Sequence, residues 1–309
     1  MTTFFYTHPD CLTHETGPNH PESAARLEAL LERLKDDEFG KLVQKQAPRA
    51  TLDQILAVHS NDYVDRISDA IPKSGYEDFD PSGTVISSGA LDAAYRAAGS
   101  VIAAVDDVMH RSAQNVFCGV RPPGHHTETA RTSGFCFFNN IAIGVRYLQK
   151  RYNLERIAVI DFDVHHGNGT QEILERDENV FFASLHQAFI FPNTGKIGVS
   201  SNRNVVNVPV VPSLTGKQIA ETFTARIIPL LSAFEPEFIF ISAGFDAHRN
   251  DPIGGLKLDY DDFVSMTQDL MKTADQFSEG RIVSALEGGY DPRSLANAAA
   301  VHILELMKA

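Results

Sequence analysis

The sequence predicts a single α/β domain over residues 1–309, built on a mostly parallel sheet with helices on both faces. Three observations carry this expectation. Apolar runs of four to six residues alternate with longer stretches of helical period, the pattern of βαβ units. No repeat, low-complexity tract or Ser/Gly linker divides them. Polar clusters follow five of the apolar runs, at what becomes the C-terminal edge of a parallel sheet, where open α/β sheets place their ligand crevice.

The elements follow in chain order. HPESAARL (20–27) opens a helix with Pro21 in its first turn, which leaves Arg26 as either a surface charge or a buried cation. A helical stretch near Ser88–Arg111 precedes the strand Asn115–Cys118, and RPPGHH (121–126) comes next. The helix Asn140–Lys150 leads to Ile157–Ile160, a β-branched apolar run ending in DFDVHHGNGT (161–170). A short helix near Thr170–Glu175 precedes Val180–Leu185, which closes on Ser184-Leu185-His186. Val205–Val208 is followed by a helix over Gly216–Phe234, and Phe238–Ile241 runs into SAGFDAHRNDP (242–252). The helix Tyr260–Ser278, the strand Ile282–Ala285 with EGGYDP (287–292), and the helix Pro292–Met307 complete the pattern.

Composition narrows the function. Hydrophobic content of 43% and charged content of 22% describe an ordinary soluble domain with a sizeable core. A net charge of −13 argues against nonspecific binding to nucleic acid or anionic lipid. An acidic surface can attract basic ligands such as polyamines or lysine-rich segments, but more often only keeps a domain soluble. Cys11, Cys118 and Cys136 have no CxxC spacing, so neither a disulfide framework nor a thiolate zinc site is expected. MTTFFYTHPD lacks a leader pattern and no run approaches a membrane span, so a cytoplasmic setting is expected. Oligomeric state is not read from the sequence.

The strand ends carry the chemistry. Asp161, Asp163 and His165 are spaced i, i+2, i+4, and share a direction if strand geometry continues past Ile160. With Asp246 from another strand end, Asp163 and His165 offer three N/O ligands to one divalent cation and leave a position open. An Asp-x-Asp seen alone is more often a helix cap or turn; its company here favours a metal. His125 and His126, restrained by Pro122, Pro123 and Gly124, supply a general base and acid. Asp161 and Asn168 are the candidates to fix their tautomers, and an anion and an amide should set the two rings apart. Gly288 and Gly289 allow close backbone approach, and Tyr290 offers a phenol to a developing oxyanion. Gly134-Phe135-Cys136-Phe137-Phe138 is unusually aromatic, so a Phe there and Phe191 opposite can wall an apolar tunnel.

With these motifs assembled, the chain resembles the zinc-dependent histone deacetylase family, and its class II branch and bacterial amidohydrolase relatives more than class I. The resemblance runs from HPES to EGGYDP, through six motifs in family order. It implies one domain with an eight-stranded, mostly parallel, arginase-like sheet. It implies zinc ligands Asp163, His165 and Asp246, base and acid His126 and His125 with Asp161 orienting His125, and Tyr290 polarising an amide carbonyl. Gly134, Phe135 and Phe191 match the substrate tunnel, Asp80 the rim aspartate that grips the substrate backbone, and Arg26 the arginine of the acetate cavity. Asp161, Asp163, His165, Ser184 and Leu185 match a structural K+ or Na+ site. Class I enzymes carry an aspartate where this chain has Asn168. Acetylpolyamine-preferring relatives carry a glutamate where this chain has Ile253.

The expected activity is therefore removal of acetyl or a related short acyl group from lysine side chains of a protein or peptide substrate. The runner-up is an acetylpolyamine or other small-amide deacetylase, which the acidic surface favours and Ile253 disfavours. A two-metal, arginase-like hydrolase and a catalytically silent acyl-lysine reader are the remaining readings; metal stoichiometry separates the first, and Tyr290 with both histidines argues against the second.

Overall fold

All six apolar runs form strands, most of them longer by one or two residues than the pattern implied. The structure is a computed structural model that describes residues 2–199 and 204–309. Its strands are β1 (Thr3–Thr7), β2 (Val43–Gln46), β3 (Tyr76–Asp78), β4 (Val85–Ser87), β5 (Asn115–Cys118), β6 (Ile157–Asp161), β7 (Val180–Gln187), β8 (Gly198–Val199), β9 (Val205–Val210), β10 (Phe238–Ala243) and β11 (Ile282–Leu286). Its α-helices are α1 (Asp10–Thr13), α2 (Ala24–Arg33), α3 (Leu52–Ile55), α4 (Asn61–Asp69), α5 (Ala90–Met109), α6 (Asn140–Tyr152), α7 (Asn168–Leu174), α8 (Gly216–Arg226), α9 (Ile228–Phe234), α10 (Tyr260–Phe277) and α11 (Pro292–Leu306).

The main sheet has the order β2-β1-β5-β11-β10-β6-β7-β9-β8. Eight of these strands run parallel, as expected for the domain; the ninth, the two-residue β8, lies antiparallel to β9 at the edge. β3 and β4 form a separate antiparallel hairpin. Every residue of β5, β6, β7, β10 and β11 is buried, as a parallel sheet covered on both faces requires. Helix α11 packs on α2 and α10, and α10 on α8, while α5 packs on α6.

Two helix expectations are corrected. The stretch 216–234 is two helices, because Pro229 has no N–H to continue the ladder and α9 begins around it. Pro21 is not in a first turn: Ser23, extended at φ −117°, occupies the N-cap position without a side-chain cap bond, and α2 starts at Ala24.

The sheet order positions the site. The strands that sequence reading ended in polar clusters, β5, β11, β10, β6 and β7, are five consecutive neighbours. The chain leaves β5 for β6, continues outward to β7 and β9, and returns to fill the gap with β10 and β11. Motifs up to 170 residues apart in sequence thereby share one stretch of C-terminal edge.

Candidate active site

Asp161 ends β6 in register with Ser242 of β10 and Ser184 of β7. Strand geometry stops there rather than continuing to His165. Side-chain to backbone bonds take over: Asp161 Oδ1 accepts the Asp163 N–H at 3.0 Å, and Asp163 Oδ1 accepts the His165 N–H at 2.9 Å. From the turn after β10, Asp246 Oδ1 accepts the Val164 N–H at 2.8 Å and ties the two segments together.

The result brings the predicted metal ligands together. Donor atoms of Asp163, His165 and Asp246 lie within 4.8 Å of one another, and all three residues are buried. His165 Nδ1 is 3.1 Å from both Asp163 Oδ1 and Asp246 Oδ2. Glycines make the room: a Cβ at Gly244 would stand 2.0 Å from Asp163 Oδ2, and one at Gly288 would stand 2.1 Å from Asp246 Oδ2. Gly288 also donates its N–H to Asp163 Oδ2 at 2.7 Å. Two buried carboxylates facing each other need a cation. Without one, burial and the Asp163 charge push Asp246 up to about 7. Burial opposes charge on His165, yet Asp163 and Asp246 together raise it to about 10. A proton is thus gripped where three N/O ligands converge, and the donor set fits a divalent ion such as zinc.

The imidazoles of His125 and His126 lie 3.9 Å apart, beside this centre. His125 Nδ1 meets Asp161 Oδ2 at 2.9 Å, and His126 Nδ1 meets Asn168 Oδ1 at 2.8 Å. The anion and the amide do set the rings apart. Burial opposes charge on His125, but Asp161 and Asp163 raise its pKa well above the usual histidine value. Burial, with His125 and His165 nearby, holds His126 well below it. The anion thus draws one ring toward the charged form, and burial with two imidazole neighbours draws the other toward the neutral form.

Tyr290 follows Gly289, whose φ of +119° suits glycine and whose Cβ would stand 2.7 Å from Leu295 Cδ1. The Tyr290 N–H donates to Asp251 Oδ2 at 2.7 Å, and the same carboxylate, through Oδ1, caps the backbone of Ile253 and Gly254. Burial, with Asp246 and Asp163, keeps the phenol protonated as a donor. Phe135 stands edge-on to Tyr290 with ring centroids 5.9 Å apart, while Phe191 stands edge-on to His126 at 5.0 Å. The two expected walls therefore flank the centre from different sides. Gly134, at φ +55°, lies against His126: its Cβ would stand 2.3 Å from His126 Cδ2. Ser82 and Thr84 hold this turn, accepting the N–H groups of Gly134 and Phe135.

Asp80 lies in the loop that carries Ser82; one oxygen accepts the Ser82 N–H at 2.6 Å and the other is buried without a partner. With Phe191, Arg66 and Arg131 it lines a cavity of about 560 Å³. Ile253 is 39% exposed. Ser184 and Leu185 are buried in β7 beside Asp161. Arg26 resolves as a buried cation: it donates to the carbonyls of Glu287 and Gly289 and pairs with Glu22, its guanidinium 5.0 Å from the Tyr290 ring centre.

Sequence reading assigned no role to three acidic residues. Glu287 is buried; its Oε2 accepts the Gly124 and His125 N–H groups at 2.7 and 3.1 Å, and Ser242 donates to Oε1. It anchors the backbone of the histidine loop just after the two prolines. Glu22, fully buried, bridges Arg26 and Arg121. Glu128 touches Asn168. An acid between an apolar strand and Gly-Gly, as in LEGG, was the available signal for Glu287.

A histone deacetylase domain model matches residues 20–306. The chain is 37% identical to a probable deacetylase of Archaeoglobus fulgidus, covering 94% of this chain and 82% of that one. It is 34% identical to the histone deacetylase-like amidohydrolase of Pseudomonas aeruginosa, over 94% of this chain and 81% of that one. The crystal structure of the HDA15 HD domain superposes with a TM-score of 0.90 at 32% identity, over 99% of this chain and 90% of that one. The chain belongs to the histone deacetylase family.

Proposed function

We propose that this chain is a zinc-dependent amidohydrolase that removes acetyl, or a related short acyl group, from lysine side chains of proteins or peptides. The convergence of Asp163, His165 and Asp246 beside two histidines, one held by a carboxylate and one by an amide, carries this reading. Asp163, His165 and Asp246 would hold the zinc, which supplies a Lewis acid for the amide carbonyl and acidifies a water. His126, neutral, accepts the proton of the attacking water; His125, kept as imidazolium by Asp161, gives a proton to the departing amine. Tyr290 donates to the carbonyl oxygen as it gains charge. The C–N bond breaks, releasing lysine and a carboxylate.

Phe135 and Phe191 bracket the methylene chain over Gly134, with Gly288 and Gly289 below and Asp80 and Ile253 at the rim. Arg26 serves the acetate cavity. A K+ or Na+ held by Asp161, Asp163, His165, Ser184 and Leu185 completes the site; the burial of all five supports it. Cys11, Cys118 and Cys136 are buried free thiols, which suits a cytoplasmic setting. Among the described residues no helix is long and apolar enough to cross a membrane.

Acyl-lysine peptides and N-acetylpolyamines, assayed with and without chelator, test the reading. Chelator-sensitive hydrolysis with higher kcat/KM on peptides is expected. A polyamine preference, or activity indifferent to chelator, would overturn it.

A further inference from the structure

We infer that Glu128 is a positioning residue that fixes the tautomer of His126 through the side-chain amide of Asn168. The inference rests on the role given above to His126, but its first observable does not. A neutral imidazole carries one N–H, and the partner of Nδ1 decides which nitrogen holds it. Asn168 is an ambiguous partner, because an amide can present either its oxygen or its NH2. Its surroundings remove the ambiguity. Asn168 Nδ2 lies 3.0 Å from Glu128 Oε1 and 3.4 Å from the His126 carbonyl oxygen. Both are acceptors, so the NH2 must face them and Oδ1 must face His126, at 2.8 Å. The proton then sits on His126 Nδ1, and Nε2 keeps its lone pair.

Glu128 is itself held. Arg131 donates to both of its oxygens, at 3.0 and 2.6 Å, and the Glu128 N–H donates to the Arg131 carbonyl at 3.0 Å. A line of hydrogen bonds thus runs from a surface arginine through Glu128 and Asn168 to the base. Asp161 holds His125 with a charge; His126 receives the same orientation from a carboxylate one residue removed, without that charge at the ring.

Long-range ¹H–¹⁵N correlation of the full chain with ¹⁵N-labelled histidine, metal-free and zinc-loaded, reads the tautomer directly. The wild type should show His126 with Nδ1 protonated and Nε2 bare. Glu128→Lys replaces an acceptor with a donor, so it should turn Asn168 and reverse the tautomer; Glu128→Gln, a milder change, should give a mixture. On acyl-lysine peptides Glu128→Lys should lower kcat by at least about tenfold with KM nearly unchanged, a fraction of what a general base supplies. The pair Glu128→Gln with Asn168→Asp restores a forced acceptor at Nδ1 and should bring back a protonated Nδ1 on that ring. A wild-type ring protonated on Nε2, or a Glu128→Lys protein retaining the wild-type tautomer, overturns the inference. A chain with the expected tautomers and no acyl-lysine hydrolysis sinks the proposed function and leaves this inference standing.

Discussion

Replacing Gly288 by alanine tests the metal centre with a single methyl group. The new Cβ would stand 2.1 Å from Asp246 Oδ2, 2.5 Å from Asp163 Oδ2 and 2.7 Å from Asp246 Cγ. Non-bonded heavy atoms rest at about 3.5 Å, so two carboxylate oxygens must each retreat by roughly 1 Å. Backbone strain does not enter, because Gly288 is not among the positive-φ residues. Asp163 has little freedom to move, since its Oδ2 also accepts the Gly288 N–H at 2.7 Å. Metal–ligand distances are held to about 0.2 Å, so the displacement exceeds tolerance several-fold. Zinc affinity should fall by at least about 10- to 100-fold, the scale seen when supporting groups around a metal are lost. Titration against a competing fluorescent chelator measures this, with the thermal melt of the metal-free protein as the check on folding. A folded variant with wild-type zinc affinity would refute the geometry argued here. The neighbouring change Gly289→Ala, at φ +119° and against Leu295, should instead reduce stability.

Three further outcomes are expected of the same site and its supports. Tyr290→Phe should lower kcat by roughly 10²- to 10³-fold, the scale of one oxyanion donor, and near-normal turnover in a folded variant would remove the phenol from the mechanism. Zinc has to displace the proton that Asp163 and Asp246, against the burial penalty, hold on His165 up to pH about 10. Apparent zinc affinity should therefore rise with pH by about tenfold per unit, and more steeply below about 7, where Asp246 also binds a proton; a pH-independent affinity contradicts the donor set. Burial opposes the charge of Glu22, but Arg121 and Arg26 bring its pKa down from 4.5 to about 2. Its folded value is depressed, so its stabilisation is full above pH 4.5 and is lost as pH falls toward about 2, a change of about 3 kcal/mol. Denaturant melts of wild type and Glu22→Gln should converge over that interval, and a gap that stays constant with pH would exclude Glu22 as the titrating group.

How much was legible follows from which contacts are local. The strands β5 to β7 and β9 to β11 were readable because each is a buried apolar run, and their polar ends because a parallel sheet collects them on one edge. β2 was not: Val-Gln-Lys-Gln is largely exposed at the sheet edge and carries no apolar pattern. β1 is hard to read because TFFYT is short and lies at the start of the sequence, where an apolar run can equally belong to a leader, although β2 and β5 pair with it on either side. The ligand trio, both histidines and the flanking aromatics were visible as residue types that packing does not explain. Glu22 and Glu128 left no signal, and LEGG marked Glu287 without its role, because their partners are buried arginines, an amide and backbone N–H groups brought close by the fold. Glu287 reaches the N–H groups of Gly124 and His125 across more than 160 residues. Local rules locate the candidate reacting groups; the residues that hold them emerge from topology.

The most direct test of the central claim is an anomalous difference map from crystals of the zinc-loaded chain, collected at the zinc absorption edge. One peak per chain is expected, at about 2.0–2.2 Å from oxygen atoms of Asp163 and Asp246 and a nitrogen of His165. A map with no peak among these three side chains, or with zinc held elsewhere, would contradict the account.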